Sequence, residues 1–143
     1  KKGRKKRLKM FKEFFICAAI ILVIIIGNSV TQSYSVNSIE EMNNNLREFK
    51  EMIINKSVDE INQNLEEVEA KEKELEENWD EMFSVLAYYI EHDELEKFAK
   101  NLENLKTYVT VKEYDNAIKE INEGIFILEH IEDKYSFNLQ NIF

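Results

Sequence analysis

Two histidines, one cysteine and 28 carboxylates are the side chains through which this chain could do chemistry. His92 lies among Glu91, Asp93 and Glu94, and His130 among Glu129, Glu132 and Asp133. Imidazole beside carboxylate is the donor set of zinc sites and of pH sensors. It is equally the common charge complement of a helix's carbonyl end. Carboxylate-bridged di-metal bundles carry Glu-x-x-His on facing helices, and here Tyr89 and Ile127 stand where those glutamates would be. His92 and His130 are therefore metal candidates without a full ligand motif, and no resident metal or cofactor is expected.

Nucleophilic chemistry finds less support. Cys17 falls inside an apolar run, and no serine stands in a glycine-flanked elbow. Gly3, Gly27 and Gly124 are too scattered to build a phosphate loop. The expectation is a protein with no catalytic residue, not an enzyme. A single cysteine forms no intramolecular disulfide, so cysteine usage is compatible with either side of a membrane.

The element that dominates the chain is "FFICAAIILVIIIGNSV", residues Phe14 to Val30, directly behind a basic start. Eight of the 19 basic residues and one of the 28 acids lie in Lys1 to Glu13, which leaves eleven against 27, a net −16, for the remainder of a chain whose overall charge is −9. At about 1.5 Å per residue the run from Phe14 through Ile20 and Ile26 to Val30 reaches roughly 25 Å, and Lys9 and Lys12 can snorkel, so it can cross a slightly thinned bilayer. A cleaved signal peptide is the competing reading, with Gly27/Ser29 or Ser33/Ser35 at the cleavage spacing. The isoleucine-rich length and the lack of an alanine-type cleavage motif favour a retained signal-anchor. A pilin-like leader fails, because Lys9 and Met10 stand where its glycine before the mature helix belongs. The positive-inside bias places residues 1–13 in the cytoplasm as a basic tail and the acidic part outside. Nucleic acid is not an expected partner, since the basic residues are spent beside the apolar run.

Beyond the anchor, Thr31 to Asn37 reads as a polar hinge, and residues 38–143 as an acidic helical bundle. Ser38 with Glu41, Ser57 with Glu60, and Thr110 with Glu113 have the capping-box spacing, and Asp93 with Glu96 is a looser fourth start. Apolar residues recur at intervals of three and four along Val58, Ile61, Leu65, Val68, Leu75, Trp79, Met82 and Leu86, with Glu72 as the one interruption. Leu95 to Val109 and Ile118 to Ile131 repeat the pattern. Core packing is the expectation for all of these, including Trp79 and the pair Tyr88/Tyr89. In the charge run, Glu67 with Lys71 and Glu69 with Lys73 are spaced for ion pairs on a solvated face. "EYDNAIKEINEGI" has the look of one tetratricopeptide helix, but no second copy lies at that period. The fold class is therefore all-α: one N-terminal transmembrane helix, then an antiparallel bundle of about four helices. An up-down path brings His92, His130 and the C-terminal stretch to one pole near the bilayer. A second helix from Val58 to Ile90 would be about 50 Å long against about 25 Å for Ile39 to Asn55. It must break near Glu77 to Trp79, or act as a spine for two sets of partners.

Trp79, "IEHDELE" (Ile90 to Glu96), "LKTYV" (Leu105 to Val109) and the ending "LEHIEDKYSFNLQNIF" resemble a bacterial family called domain of unknown function 4363. The resemblance covers most of the chain, and "IEHDE" and "LEHI…NLQNIF" are its distinctive parts. The longer basic N-terminus departs from the family and points to Met10 as an alternative start. The resemblance implies a small, membrane-anchored, helical bacterial protein with no assigned activity, encoded beside another small integral-membrane protein. The expected function is a non-enzymatic interaction or accessory role on the bacterial cell membrane. Lipid would be bound through residues 14–30, and another membrane protein through the bundle or the apolar tail Phe137, Leu139, Ile142 and Phe143. For that tail, ordinary core packing is the alternative. The alternative function is an extracytoplasmic ligand- or metal-sensing bundle using His92 and His130.

Overall fold

A computed structural model describes the backbone of residues 2–140 and the side chains of residues 10–31 and 33–135. Five helices follow one another: α1 (Lys2–Ile54), α2 (Val58–Gln63), α3 (Leu65–Leu86), α4 (His92–Thr110) and α5 (Tyr114–Gln140). No strand occurs among the described residues. The chain divides into two units, Lys1–Tyr34 and Ser35–Phe143.

The first unit is helix alone. Its described large apolar side chains are exposed: Phe14 is 68% exposed and Val30 65%. Thr31 Oγ1 donates to the Gly27 carbonyl at 2.9 Å, which satisfies the hydroxyl inside the helix.

The second unit is an antiparallel bundle of four long helical segments, with the short α2 between the first two. Residues 35–54 of α1 place Ile39, Met42, Leu46, Phe49 and Ile53 in the core, one per turn. Val68, Leu75 and Trp79 of α3, Leu95, Phe98 and Leu105 of α4, and Ile121, Leu128 and Ile131 of α5 complete it. Each such side chain, fully buried, stabilises by about 1.5–3 kcal/mol in transfer terms. Trp79 lies edge-on to Phe98, with centroids 4.5 Å apart, and ties α3 to α4. Arg47 reaches Glu129 at 2.6 Å between α1 and α5, and Lys71 reaches Glu48 at 3.7 Å between α3 and α1.

Several local expectations give way. Thr31 to Asn37 is helical, and Ser38 lies buried inside α1, where no unpaired amides exist for it to cap. Ser57 and Glu60 do form the reciprocal capping box, opening α2. Thr110 closes α4 instead of opening α5, its hydroxyl donating to the Lys106 carbonyl. α4 starts at His92, behind Glu91, one residue before Asp93. The α4–α5 connection is a Schellman turn: Lys112 adopts φ 62°, with Glu113 N–H donating to the Tyr108 carbonyl and Lys112 N–H to that of Val109.

The long second helix breaks at Asn64, not near Glu77 to Trp79. Asn64 takes φ −113° and ψ 33°, and its side-chain amide donates to the Glu60 carbonyl, so the residue closes α2 before α3 begins. Val58 is 60% exposed and Tyr88 84%, with Tyr89 also outside the core, since α3 ends at Leu86 and the turn carries both tyrosines outward. In the charge run, Glu67 pairs with Lys56, Lys71 with Glu74 and Lys73 with Glu77, in place of the partners read from spacing.

Candidate functional site

In the first unit, α1 is apolar around its whole circumference from Phe14 through Ile20 and Ile26 to Val30. A soluble helix shows one apolar stripe; one apolar on every side needs an apolar surrounding. By length and composition, one helix, within Met10–Ile54, qualifies to cross a membrane among the described residues, and none of its apolar window is buried. Cys17 is exposed on the same surface.

The two histidines do come to one end of the bundle. His92, expected near the end of a helix, instead opens α4; its Nε2 lies 3.0 Å from Glu96 Oε1 and its ring meets Phe83 edge-on at 5.7 Å. His130 on α5 lies close enough to Glu94 for its charge to act there. This end carries an ion network: Lys134 reaches Glu91 at 3.0 Å and Glu94 at 3.6 Å, while Lys97 reaches Glu94 at 3.3 Å. Burial raises the Glu94 carboxyl, but the hydrogen bond and charge of Lys97, with Lys134 and His130, outweigh it and hold the group below its ordinary value. Tyr135 Oη accepts the Glu91 backbone N–H at 2.7 Å. Among the described residues no three His, Cys, Asp or Glu side chains come together to hold a metal. Phe137 and Leu139 lie on α5 with side chains outside the described residues, and Ile142 and Phe143 fall outside them altogether.

Two features of the bundle went unread in the sequence. Glu72, the interruption in the α3 stripe, is buried at 7% exposure, and its Oε1 has no hydrogen-bond partner among the described residues. Burial, reinforced by Glu76 and Glu69 against the pull of Lys106, raises its carboxyl from 4.5 to about 7. The stripe's own periodicity carried that signal, since a residue on the apolar face is buried whatever its type.

The second feature is an open groove of ≈ 340 Å³ between α3 and α4. Glu76, Trp79, Asp80 and Phe83 line it from α3, and Ala99, Leu102 and Glu103 from α4. Lys106 Nζ holds Glu76 at 2.6 Å, which raises the lysine's own pKa. Within that lining Ala99, whose side chain ends at Cβ, stands among the larger Phe83, Trp79 and Leu102.

A family model described as a domain of unknown function (DUF4363) matches residues 29–142. No curated protein and no solved structure matches the chain.

Proposed function

This chain belongs to the DUF4363 family, and from that premise we propose that it is a membrane-anchored, non-enzymatic helical protein whose acidic bundle binds another membrane protein. The observation that carries the reading is a contrast in burial. The bundle closes its own core, with Phe49, Phe98, Leu46 and Leu128 at 0% exposure, whereas the large apolar side chains from Phe14 to Val30 are exposed among the described residues. Lipid is the surrounding that fits them. The eight basic residues before Phe14 then face the cytoplasm of a bacterial cell, and the −16 remainder lies outside. In this reading no titratable cluster is asked to do chemistry: the His92 and His130 end is a charge network around Lys134.

Extraction of native membranes in mild detergent, followed by purification of the tagged full chain, tests the partner. A single integral-membrane protein retained in constant proportion through two orthogonal columns is the expected result. A chain that elutes alone from freshly solubilised membranes contradicts the proposal. Deleting residues 136–143 then separates a binding tail, lost partner with unchanged melting, from a tail that is core.

A further inference from the structure

We propose that the α3/α4 groove docks a lysine- or arginine-bearing segment of the partner protein, one apolar side chain seating over Ala99 and Leu102 while flanking cations meet Asp80 and Glu103. The proposal rests on the partner-binding reading and gives that partner a surface and a chemistry.

Charge decides the occupant. The groove lining holds three carboxylates, Glu76, Asp80 and Glu103, and no lysine or arginine; of the three, Glu76 is engaged by Lys106 Nζ at 2.6 Å. Asp80 and Glu103 make no salt bridge among the described residues, although Glu103 lies near enough to Lys106 for their charges to interact. An acidic or neutral segment would strip water from two carboxylates and return nothing, whereas a basic one pairs them. A second copy of this chain is disfavoured by the same argument, because everything after Glu13 sums to −16.

Shape decides the rest. The Ala99 notch lies beside half-buried Phe83 and buried Leu102, an apolar seat that a free polyamine has no side chain to fill. Glu76 to Phe83 spans eight residues, roughly 10 Å along α3, the reach of about two turns of a docked helix.

Trp79 is the chain's single tryptophan, so its emission reports on the groove directly. The full chain in detergent micelles is titrated with the heptapeptide acetyl-Lys-Lys-Ala-Leu-Ala-Lys-Lys-amide, and each variant's melting is checked alongside. The expected result is a saturable emission change, weakened about tenfold by Asp80→Asn with Glu103→Gln and by Ala99→Leu, which fills the notch. It is unchanged by Glu40→Gln with Glu41→Gln, which removes the same charge from exposed positions of α1. Spermidine, and the peptide with its leucine replaced by glycine, bind about tenfold more weakly. Equal weakening by the α1 pair would show general attraction to an acidic surface and overturn the proposal. So would spermidine matching the peptide, or indifference to Ala99→Leu. Co-purification of a membrane partner that survives with the groove insensitive to all these changes sinks the groove and leaves partner binding standing. Peptide docking in a chain that co-purifies with nothing sinks the partner reading and this proposal with it.

Discussion

Gly124 of α5 faces Asn101 of α4 so closely that a Cβ on the glycine would lie 2.5 Å from Asn101 Oδ1. The same methyl would meet Leu46 of α1 at 3.2 Å and Phe98 at 3.3 Å, so three helices converge on a point with no room for a side chain. Asn101 is fixed there, its amide donating to the Glu120 carbonyl and carboxylate at 2.9 Å each.

Gly124→Ala should therefore destabilise the bundle by about 1–3 kcal/mol, the usual range for overpacking. Helix propensity alone argues the other way, favouring alanine by about 1 kcal/mol. Denaturant unfolding followed by Trp79 emission decides which effect wins; an alanine variant as stable as the parent would mean the helices separate more easily than the contacts imply.

Lys112 offers the opposite case. It holds the left-handed conformation at φ 62° that ends a Schellman turn, where glycine is the residue without steric cost. Lys112→Gly should stabilise by about 1 kcal/mol, offset in part by the greater freedom of the unfolded chain. A rise in the unfolding midpoint with an unchanged slope is the expected signature.

Glu72 makes stability depend on pH with a definite sign. Its folded-state pKa is raised from 4.5 to about 7 by burial first and Glu76 second, so the protonated form is the one the fold prefers. The associated stability is present in full below about pH 4.5 and is lost as pH rises to about 7; at about 1.4 kcal/mol per unit it amounts to about 3 kcal/mol at most. Glu60, held low by Ser57, and Glu94, where burial's upward push is outweighed chiefly by Lys97, act in the reverse sense, losing their contribution as pH falls. Comparing Glu72→Gln with the parent isolates the one group: the variant should be more stable at pH 8 and about equal at pH 4.5. Parallel pH profiles for the two proteins would show that Glu72 is solvated.

The helices were legible because apolar residues recur every three or four positions from Ile61 to Ile131, and that spacing survives in the core. Their ends were less legible. Ser/Thr-x-x-Glu recurs by chance in a glutamate-rich chain, so Ser57 is a true cap while Ser38 and Thr110 lie within helices. The break at Asn64 hides because asparagine, unlike proline or glycine, punctuates a helix only when its side chain turns back on the backbone. The run from Thr31 to Asn37 reads as a linker by composition, yet each of its residues is tolerated in a helix, and the run is helical. The groove was not legible at all, since it depends on which face of α3 meets Ala99.

The central claim, a retained anchor with the bundle outside, is tested most directly by alkylation in intact cells. Cys17 is the only cysteine, so Cys17→Ser with Lys100→Cys places a single thiol on an exposed position of α4, and Cys17→Ser with Lys12→Cys places one before the anchor. A membrane-impermeant maleimide should label the Lys100→Cys protein in intact cells and the Lys12→Cys protein only after lysis, with both forms staying in the carbonate-washed membrane pellet. Labelling of the two in the reverse order, or a carbonate-soluble chain whose amino terminus reads from Val30 or Val36, would contradict it.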